Sequence, residues 1–269
     1  MSARTRLLAA IAIFTVLASA GCRPDPQTGT GSMRIGISLD RPGMAIRTER
    51  GYAGFDIDIA NFVARKLGYG GVTVIDAPRA QRAVLLTTGQ VDLVVSGFSM
   101  TSERARLVTF AGPYLVVHQR LMTRVSSAMT LDAVTGRRLC AAYGSTSEDL
   151  AIGYLPGVHV TQANTYRDCL DDLLERRVDG ILADDVVLAG YAAQPAYDSR
   201  VTLKRAPTST ERYGIGLPKD DLDLCRKVNA ALAEMISSGA WERSVELNLV
   251  PIGYAVDPAL NPPAAQDCR

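Results

Sequence analysis

The sequence predicts an α/β protein of two lobes that are joined by two chain crossings. Three observations lead to this fold class. Strand and helix patterns alternate in two successive series, which is typical of βαβ units around parallel sheets. One extended apolar segment, 113–125, separates the two series, and another, 201–217, follows the second. The chain has 269 residues, of which 47% are apolar, and this is enough for a sizeable core.

Each series is defined by the spacing of its apolar residues. The first consists of strand 33–39, helix 54–67, strand 72–75, helix 80–88 and strand 91–95. The second consists of strand 138–142, a helix from about 145, strand 158–161, helix 166–176, strand 178–182 and helix 185–191. Two further helices, 220–238 and 241–249, are expected to return to the first lobe, and the proline-rich tail from 251 is expected to be irregular.

Composition argues against several classes of protein. Lys and Arg total 29 against 28 Asp and Glu, and the formal charge of +1 is not that of a nucleic-acid binder. His118 and His159 are the two histidines, and the five cysteines form no CxxC pair, so we expect no metal site. The motifs G-x-S-x-G, HExxH and GxxxxGK[ST] are absent from the sequence, so we predict no catalytic residues and no cofactor.

The first 21 residues have the pattern of a signal peptide. Arg4 and Arg6 precede the largely apolar stretch 7–20, which is too short to span the roughly 30 Å of bilayer hydrocarbon. The following Cys22 lies in a sequence, SAGC, that is similar to the lipobox of bacterial lipoproteins, in which the cysteine is acylated. Ordinary signal cleavage after Ala20 remains an alternative, since ASA also fits that pattern. Residues 22–32 then form a flexible tether, and we expect an extracytoplasmic protein, lipid-anchored to the outer face of the cytoplasmic membrane.

Four cysteines remain beyond the predicted anchor. An exported protein lies in a compartment that permits disulfides, and Cys140, Cys169, Cys225 and Cys268 allow three pairings. We predict Cys140–Cys169, which would lie within one lobe, and Cys225–Cys268, which would pin the tail.

Polar residues follow the predicted strand 91–95. Ligands of open α/β sheets bind beyond the carboxyl ends of strands. Ser96, Gly97 and Ser99 occupy that place, and their hydroxyls and backbone N–H groups at a helix start would form a carboxylate cradle. Arg104 would add a guanidinium fork that fits a planar carboxylate.

The second series places polar residues at corresponding strand ends. Thr146 follows strand 138–142, where Ser145 and Glu148 also form a capping box, so that pure helix capping is an alternative. Asp184 follows strand 178–182. An acid opposite an arginine suits a zwitterionic ligand.

Together these residues resemble the periplasmic solute-binding proteins of polar amino-acid ABC importers, and among them the glutamate-type lipoproteins. The similarity covers about 33–249. It is carried by GFDIDIA (54–60), SGFSMTSERARLVTFAGPYL (96–115), GSTSED (144–149), VDGILADD (178–185) and YGIGLPKDD (213–221). The resemblance implies the periplasmic-binding-protein (Venus flytrap) fold, with two parallel-type sheets and two hinge crossings. Lobe 1 would comprise 33–117 and 212–252, lobe 2 would comprise 118–211, and 253–269 would be the tail.

The resemblance also assigns roles at the ligand. Arg104 would grip the α-carboxylate, helped by Ser99 and the backbone around Gly97. Asp184 would receive the α-ammonium, and Thr146 would contact the α-carboxylate from the second lobe.

Two further arginines concern the ligand's side chain. Arg82 resembles the arginine that binds the side-chain carboxylate in glutamate and aspartate receptors, and its alternative is an exposed helix arginine. Arg47 lies with Ser38, Asp40 and Arg41 in the loop where this family contacts the side chain, although an acid there departs from the family pattern.

The implied function is capture of glutamate or aspartate by a monomer, which delivers it to an ABC permease and its ATPase. The chain would be neither an enzyme nor a nucleic-acid binder, and would touch the membrane through its lipid anchor alone. Two alternatives remain, a sensory receptor for an amino acid and a dehydratase-type enzyme on the same fold. Neighbouring genes for a permease and an ATPase would favour import.

Overall fold

The computed structural model describes residues 31–204 and 209–268. Their strands are β1 (Ser32–Ile37), β2 (Asp40–Arg41), β3 (Ala45–Thr48), β4 (Gly51–Ala53), β5 (Gly71–Asp76), β6 (Leu93–Ser99), β7 (Thr109–Arg124), β8 (Arg138–Ala142), β9 (His159–Ala163), β10 (Gly180–Asp184), β11 (Val201–Leu203) and β12 (Ser209–Leu217). Their α-helices are α1 (Phe55–Lys66), α2 (Arg82–Thr87), α3 (Thr146–Tyr154), α4 (Tyr166–Leu174), α5 (Asp185–Ala192), α6 (Leu222–Ser237) and α7 (Ala240–Asn248).

Two groups of parallel strands form the centres of the two lobes. In the first lobe β1 lies between β5 and β6, and in the second lobe β8 lies between β10 and β9. The long strands β7 and β12 are antiparallel to each other and connect the groups, in the order β5-β1-β6-β12-β7-β10-β8-β9. Because β7 and β12 run through both halves, they are the two crossings that the sequence predicts, and the two-lobed fold is confirmed.

Helix α1 shows how the sequence builds the first lobe. Phe55, Ile59 and Val63 recur at helical spacing and are fully buried, so one face of the helix packs against the sheet. The helix begins after Gly54, whose φ is 131° and whose Cβ, if present, would lie 2.3 Å from the Met44 carbonyl oxygen. Only glycine permits this close approach of the two segments.

The structure corrects several element boundaries. The predicted strand 91–95 is β6, which continues to Ser99, and the expected helix start after it is a single 3-10 turn at 104–106. The predicted helix 80–88 begins as a 3-10 turn, 79–81, before α2. The small antiparallel sheet β2-β3-β4 was not predicted. Its strands have two to four residues each, too few to show a periodicity.

The two predicted disulfides are present. Cys140 of β8 is bonded to Cys169 of α4, and Cys225 of α6 is bonded to Cys268 of the tail. The tail is otherwise irregular, as expected. The predicted signal peptide and the lipidation site Cys22 lie outside the described residues, among which no helix has the length and apolar character to cross a membrane.

Candidate functional site

Two arginines of the first lobe reach the second lobe at one carbonyl group. Arg104 Nη2 donates to the Gly144 carbonyl oxygen at 3.0 Å, and Arg82 Nη2 lies 3.5 Å from the same oxygen. Their guanidinium carbons lie 5.2 and 4.5 Å from the centroid of the Phe98 ring, within the range of cation–π attraction. The structure therefore brings Arg82 and Arg104 together where the two lobes meet.

Arg82 is a buried residue, and the alternative of an exposed helix arginine is wrong. The residue is 3% exposed, and its guanidinium donates to the carbonyl oxygens of Arg79, Ser96 and Gly97 at 3.0, 3.0 and 3.1 Å. Burial lowers the pKa of the Arg82 side chain well below its usual value, and the neighbouring charge of Arg104 lowers it further. An anion placed beside the Arg82 guanidinium would stabilise its charged form and raise its pKa again.

Two of the four arginines at the site are paired with acids, and two are not. Arg41 pairs with Asp56 at 2.8 Å, and Arg79 pairs with Asp40 at 3.0 Å. Arg82 and Arg104 form no salt bridge with any carboxylate of the described residues. A buried guanidinium and a half-buried one, neither held by a salt bridge, attract an anionic ligand.

The predicted carboxylate cradle is wrong in its details. The residues lie inside β6, not at a helix start. The Gly97 N–H donates to the Tyr114 hydroxyl at 2.9 Å, and the Ser96 hydroxyl faces Ser38 and Arg41 within the first lobe. The Ser99 carbonyl oxygen accepts from Arg104 at 3.1 Å. The carbonyl oxygens of Ser96 and Gly97 thus hold Arg82, and the N–H of Gly97 is already bonded.

Asp184 ends β10 and is buried, and its charge interacts with that of Arg104. Its Oδ2 accepts a hydrogen bond from the Tyr213 hydroxyl, while its Oδ1 is buried and accepts none from the described residues. Burial, with the nearby carboxylate of Glu211, raises the pKa of Asp184 to about 7, against the opposing effect of the Tyr213 hydrogen bond. A buried carboxylate oxygen with no donor is suited to an ammonium group.

Thr146 begins α3, with Ser145 as the helix N-cap. Its hydroxyl accepts from the Gln119 amide at 2.9 Å and donates to Glu211 at 3.1 Å. Its single proton is therefore used within the protein, so the predicted contact with an α-carboxylate would require this bond to break.

Arg47 lies apart from these residues, at an exposed position of β3. Its guanidinium stacks on Tyr52, 5.4 Å from the ring centroid. It borders a groove of about 520 Å³ that both lobes line, with Tyr191 and Gln194 on the far side. The structure thus places Arg47 at the rim of the cleft and not beside Arg104.

Sequence reasoning missed three residues of the site. Tyr213 appeared only within the run 213–221 that carries the resemblance, and Glu211 had no predicted role. Arg41 was placed in the side-chain loop without a partner, whereas it forms the buried ion pair with Asp56. A buried pair separated by 15 residues in the chain has no local pattern, so the sequence offered no signal for it.

The chain belongs to a known family. The model of the bacterial extracellular solute-binding proteins, family 3, matches residues 33–247. Membership makes this chain an extracellular solute-binding protein, in agreement with the resemblance found in its motifs.

Individual relatives are consistent with this membership. The glutamate-binding protein GluB of Corynebacterium glutamicum is 34% identical over 234 residues, covering 81% of this chain and 79% of that protein. The solved structure of an ancestral arginine-binding protein bound to arginine has a TM-score of 0.75 at 29% identity, covering 81% of this chain and 98% of that one. The solute receptor for L-cysteine of Neisseria gonorrhoeae has a TM-score of 0.78 at 26% identity, covering 85% and 94%.

Proposed function

We propose that this protein captures glutamate or aspartate outside the cell and delivers it to an ABC importer. The observation that carries the proposal is the charge arrangement at the site. The buried Asp184 has a carboxylate oxygen without a donor, and the buried Arg82 and the half-buried Arg104 form no salt bridge among the described residues. An amino acid with an acidic side chain brings one ammonium and two carboxylates, which match these groups in number and sign.

The roles of the site residues within this proposal differ from the predicted ones in two places. As predicted, Arg104 binds the α-carboxylate and Asp184 binds the α-ammonium. Arg82 draws the side-chain carboxylate by its charge, because its donors Nε and Nη1 are already bonded to backbone carbonyls. Thr146 acts by holding Glu211 and not by contacting the ligand.

The names of the relatives support an acidic ligand. The relative at 34% identity is named a glutamate-binding protein, whereas relatives at 26% identity are named for arginine or glutamine. These are names of binding proteins, and we infer that this chain also acts by binding and not by catalysis. That it works as a monomer, and that Cys22 carries its lipid anchor, are part of the same proposal.

Isothermal titration of the mature protein with glutamate, aspartate, glutamine, asparagine, arginine and histidine tests the proposal. Several charge-assisted hydrogen bonds, less the costs of desolvation and closure, are expected to give a Kd in the micromolar range, about −8 kcal/mol, for the acidic pair. Arg104→Ala should abolish that binding. Arg106→Ala removes an exposed arginine two residues away and serves as the matched control. Tight binding of arginine, with no heat from glutamate or aspartate, would refute the acidic ligand.

A further inference from the structure

The two lobes touch at a second place, apart from Arg82, Arg104 and Asp184. Helix α5 of the second lobe packs on the segment 40–42, which contains β2 of the first lobe. A Cβ added at Gly190 would lie 2.1 Å from the Pro42 carbonyl oxygen and 3.0 Å from its carbonyl carbon. The backbone of α5 therefore rests directly on the backbone of the opposite lobe, a contact that any side chain at Gly190 would prevent.

The neighbouring residue makes a hydrogen bond across the same contact. The Tyr191 hydroxyl donates to the Asp40 carbonyl oxygen at 2.5 Å, and the Tyr191 side chain is buried. Burial raises the pKa of Tyr191, so the hydroxyl keeps its proton and remains a donor. The segment 40–42 is fixed in turn, because the two carboxylate oxygens of Asp40 accept from Nη1 and Nη2 of Arg79 at 3.0 and 3.2 Å.

Glycine at position 190 is not explained by the helix itself. Gly190 lies inside α5 and has an ordinary helical φ, where alanine would be the more favourable residue. A comparable helical glycine, Gly153 in α3, has no atom within 4 Å of the place of a Cβ. The difference between the two positions is the close approach of Pro42.

We propose that Gly190, Tyr191 and the segment 40–42 form a closing latch, an inter-lobe contact that stabilises the closed cleft and so sets the closed fraction of the free protein. Since β7 and β12 are the connections about which the lobes can turn, opening the cleft breaks this contact. Gly190 and Tyr191 are thus positioning residues, which raise ligand affinity by populating the competent state. This last consequence rests on the proposed function, whereas the closure itself does not.

Small-angle X-ray scattering of the ligand-free protein tests the latch directly. We expect Gly190→Ala to increase the radius of gyration relative to the wild type, because the added methyl group keeps the lobes apart. Gly153→Ala should leave the radius unchanged, and a cooperative unfolding transition of each variant shows that it is folded. Tyr191→Phe removes the hydroxyl alone and should shift the radius in the same direction by less.

Titration with glutamate supplies the second readout. The apparent Kd is the intrinsic Kd divided by the competent fraction, so Gly190→Ala should weaken binding by about tenfold or more while Gly153→Ala does not. Equal scattering of the wild type and Gly190→Ala would overturn the latch. If the wild type binds none of the six amino acids, the proposed function fails, but the scattering result still decides the latch.

Discussion

At the scale of single residues, the site holds charged groups whose partners within the protein are incomplete. Arg82 and Arg104 form no salt bridge among the described residues, and Asp184, whose charge acts on Arg104, has one oxygen without a donor. Charged groups without partners lower the stability of the free protein, and a zwitterion with an acidic side chain would supply those partners. The ionised carboxylate of Asp184 therefore favours ligand binding but lowers the stability of the free protein.

The opposition makes a prediction for Asp184→Asn. In the folded protein the pKa of Asp184 is raised from its ordinary value of 3.8 to about 7, so between these values the folded state binds more protons than the unfolded state. The stability contribution of this group is therefore present below pH 4 and is lost as the pH rises to 7. Asp184→Asn should raise the free energy of unfolding at pH 8 by on the order of 2 kcal/mol, as measured by urea unfolding without ligand. A variant that is less stable than the wild type at pH 8 would contradict this.

The same pKa predicts how affinity depends on pH. Only an ionised Asp184 offers a charge to the ligand's ammonium, so glutamate affinity should fall as the pH is lowered from 8 to 5.5. Titrations at four pH values across that range measure the effect. Constant affinity over the range would mean that the ammonium does not bind at Asp184.

Arg82 is expected to be important for stability as well as for the ligand. Arg82→Ala leaves the carbonyl oxygens of Ser96 and Gly97 without their donor, and hydrogen bonds from a charged group contribute about 1.5–3 kcal/mol each. We expect a loss of about 3 kcal/mol in urea unfolding, together with a greater loss of affinity for glutamate than for glutamine. Equal losses for the two ligands would remove Arg82 from the side-chain end of the site.

At the scale of elements, β7 depends on the tail and the last helices. Backbone N–H and carbonyl groups of β7 form hydrogen bonds with side chains of the last helices and of the tail. Asn261 pairs with both the N–H and the carbonyl of Val116 at 2.9 Å, and the Trp241 indole donates to the Tyr114 carbonyl at 2.8 Å. This segment of a crossing strand is thereby kept from pairing with other chains, and the Cys225–Cys268 disulfide holds the tail over it.

Removing that disulfide should weaken the fold. Cys225 and Cys268 are separated by 43 residues, and cross-links of this length contribute about 2–4 kcal/mol, chiefly by restricting the unfolded chain. The double variant Cys225→Ser/Cys268→Ser should lose that amount in urea unfolding under non-reducing conditions. An unchanged unfolding midpoint would show that the tail is held by its hydrogen bonds alone.

Elements with long, clear periodicity were predicted well, and short or non-local ones were not. Helix α1 was expected at 54–67 and lies at Phe55–Lys66, because Phe55, Ile59 and Val63 mark one face. The sheet β2-β3-β4 went unseen, since its strands are too short for a pattern. The predicted carboxylate cradle assumed a helix start after residue 95. The chain instead continues as β6 through Ser99, because pairing with β12 stabilises a strand at Gly97.

At the scale of the whole molecule, the two-lobed architecture follows from the alternation of strands and helices and is confirmed by the family and by solved structures at TM-scores of 0.75 and 0.78. The identity of the inter-lobe contacts could not be predicted. Gly144 approaches Ala80 and Gly190 approaches Pro42 across the cleft, between segments far apart in the chain. Such approaches depend on how the lobes close, which no local pattern records.

The most direct test of the account compares glutamate with glutarate, which has both carboxylates but no ammonium, in the wild type and in Asp184→Asn. We predict micromolar binding of glutamate by the wild type and at least about a hundredfold weaker binding of glutarate. In Asp184→Asn this preference should largely disappear, because the group that recognises the ammonium is gone. Equal affinity of the wild type for glutamate and glutarate would contradict the assignment of Asp184 and, with it, the capture of an amino acid at this site.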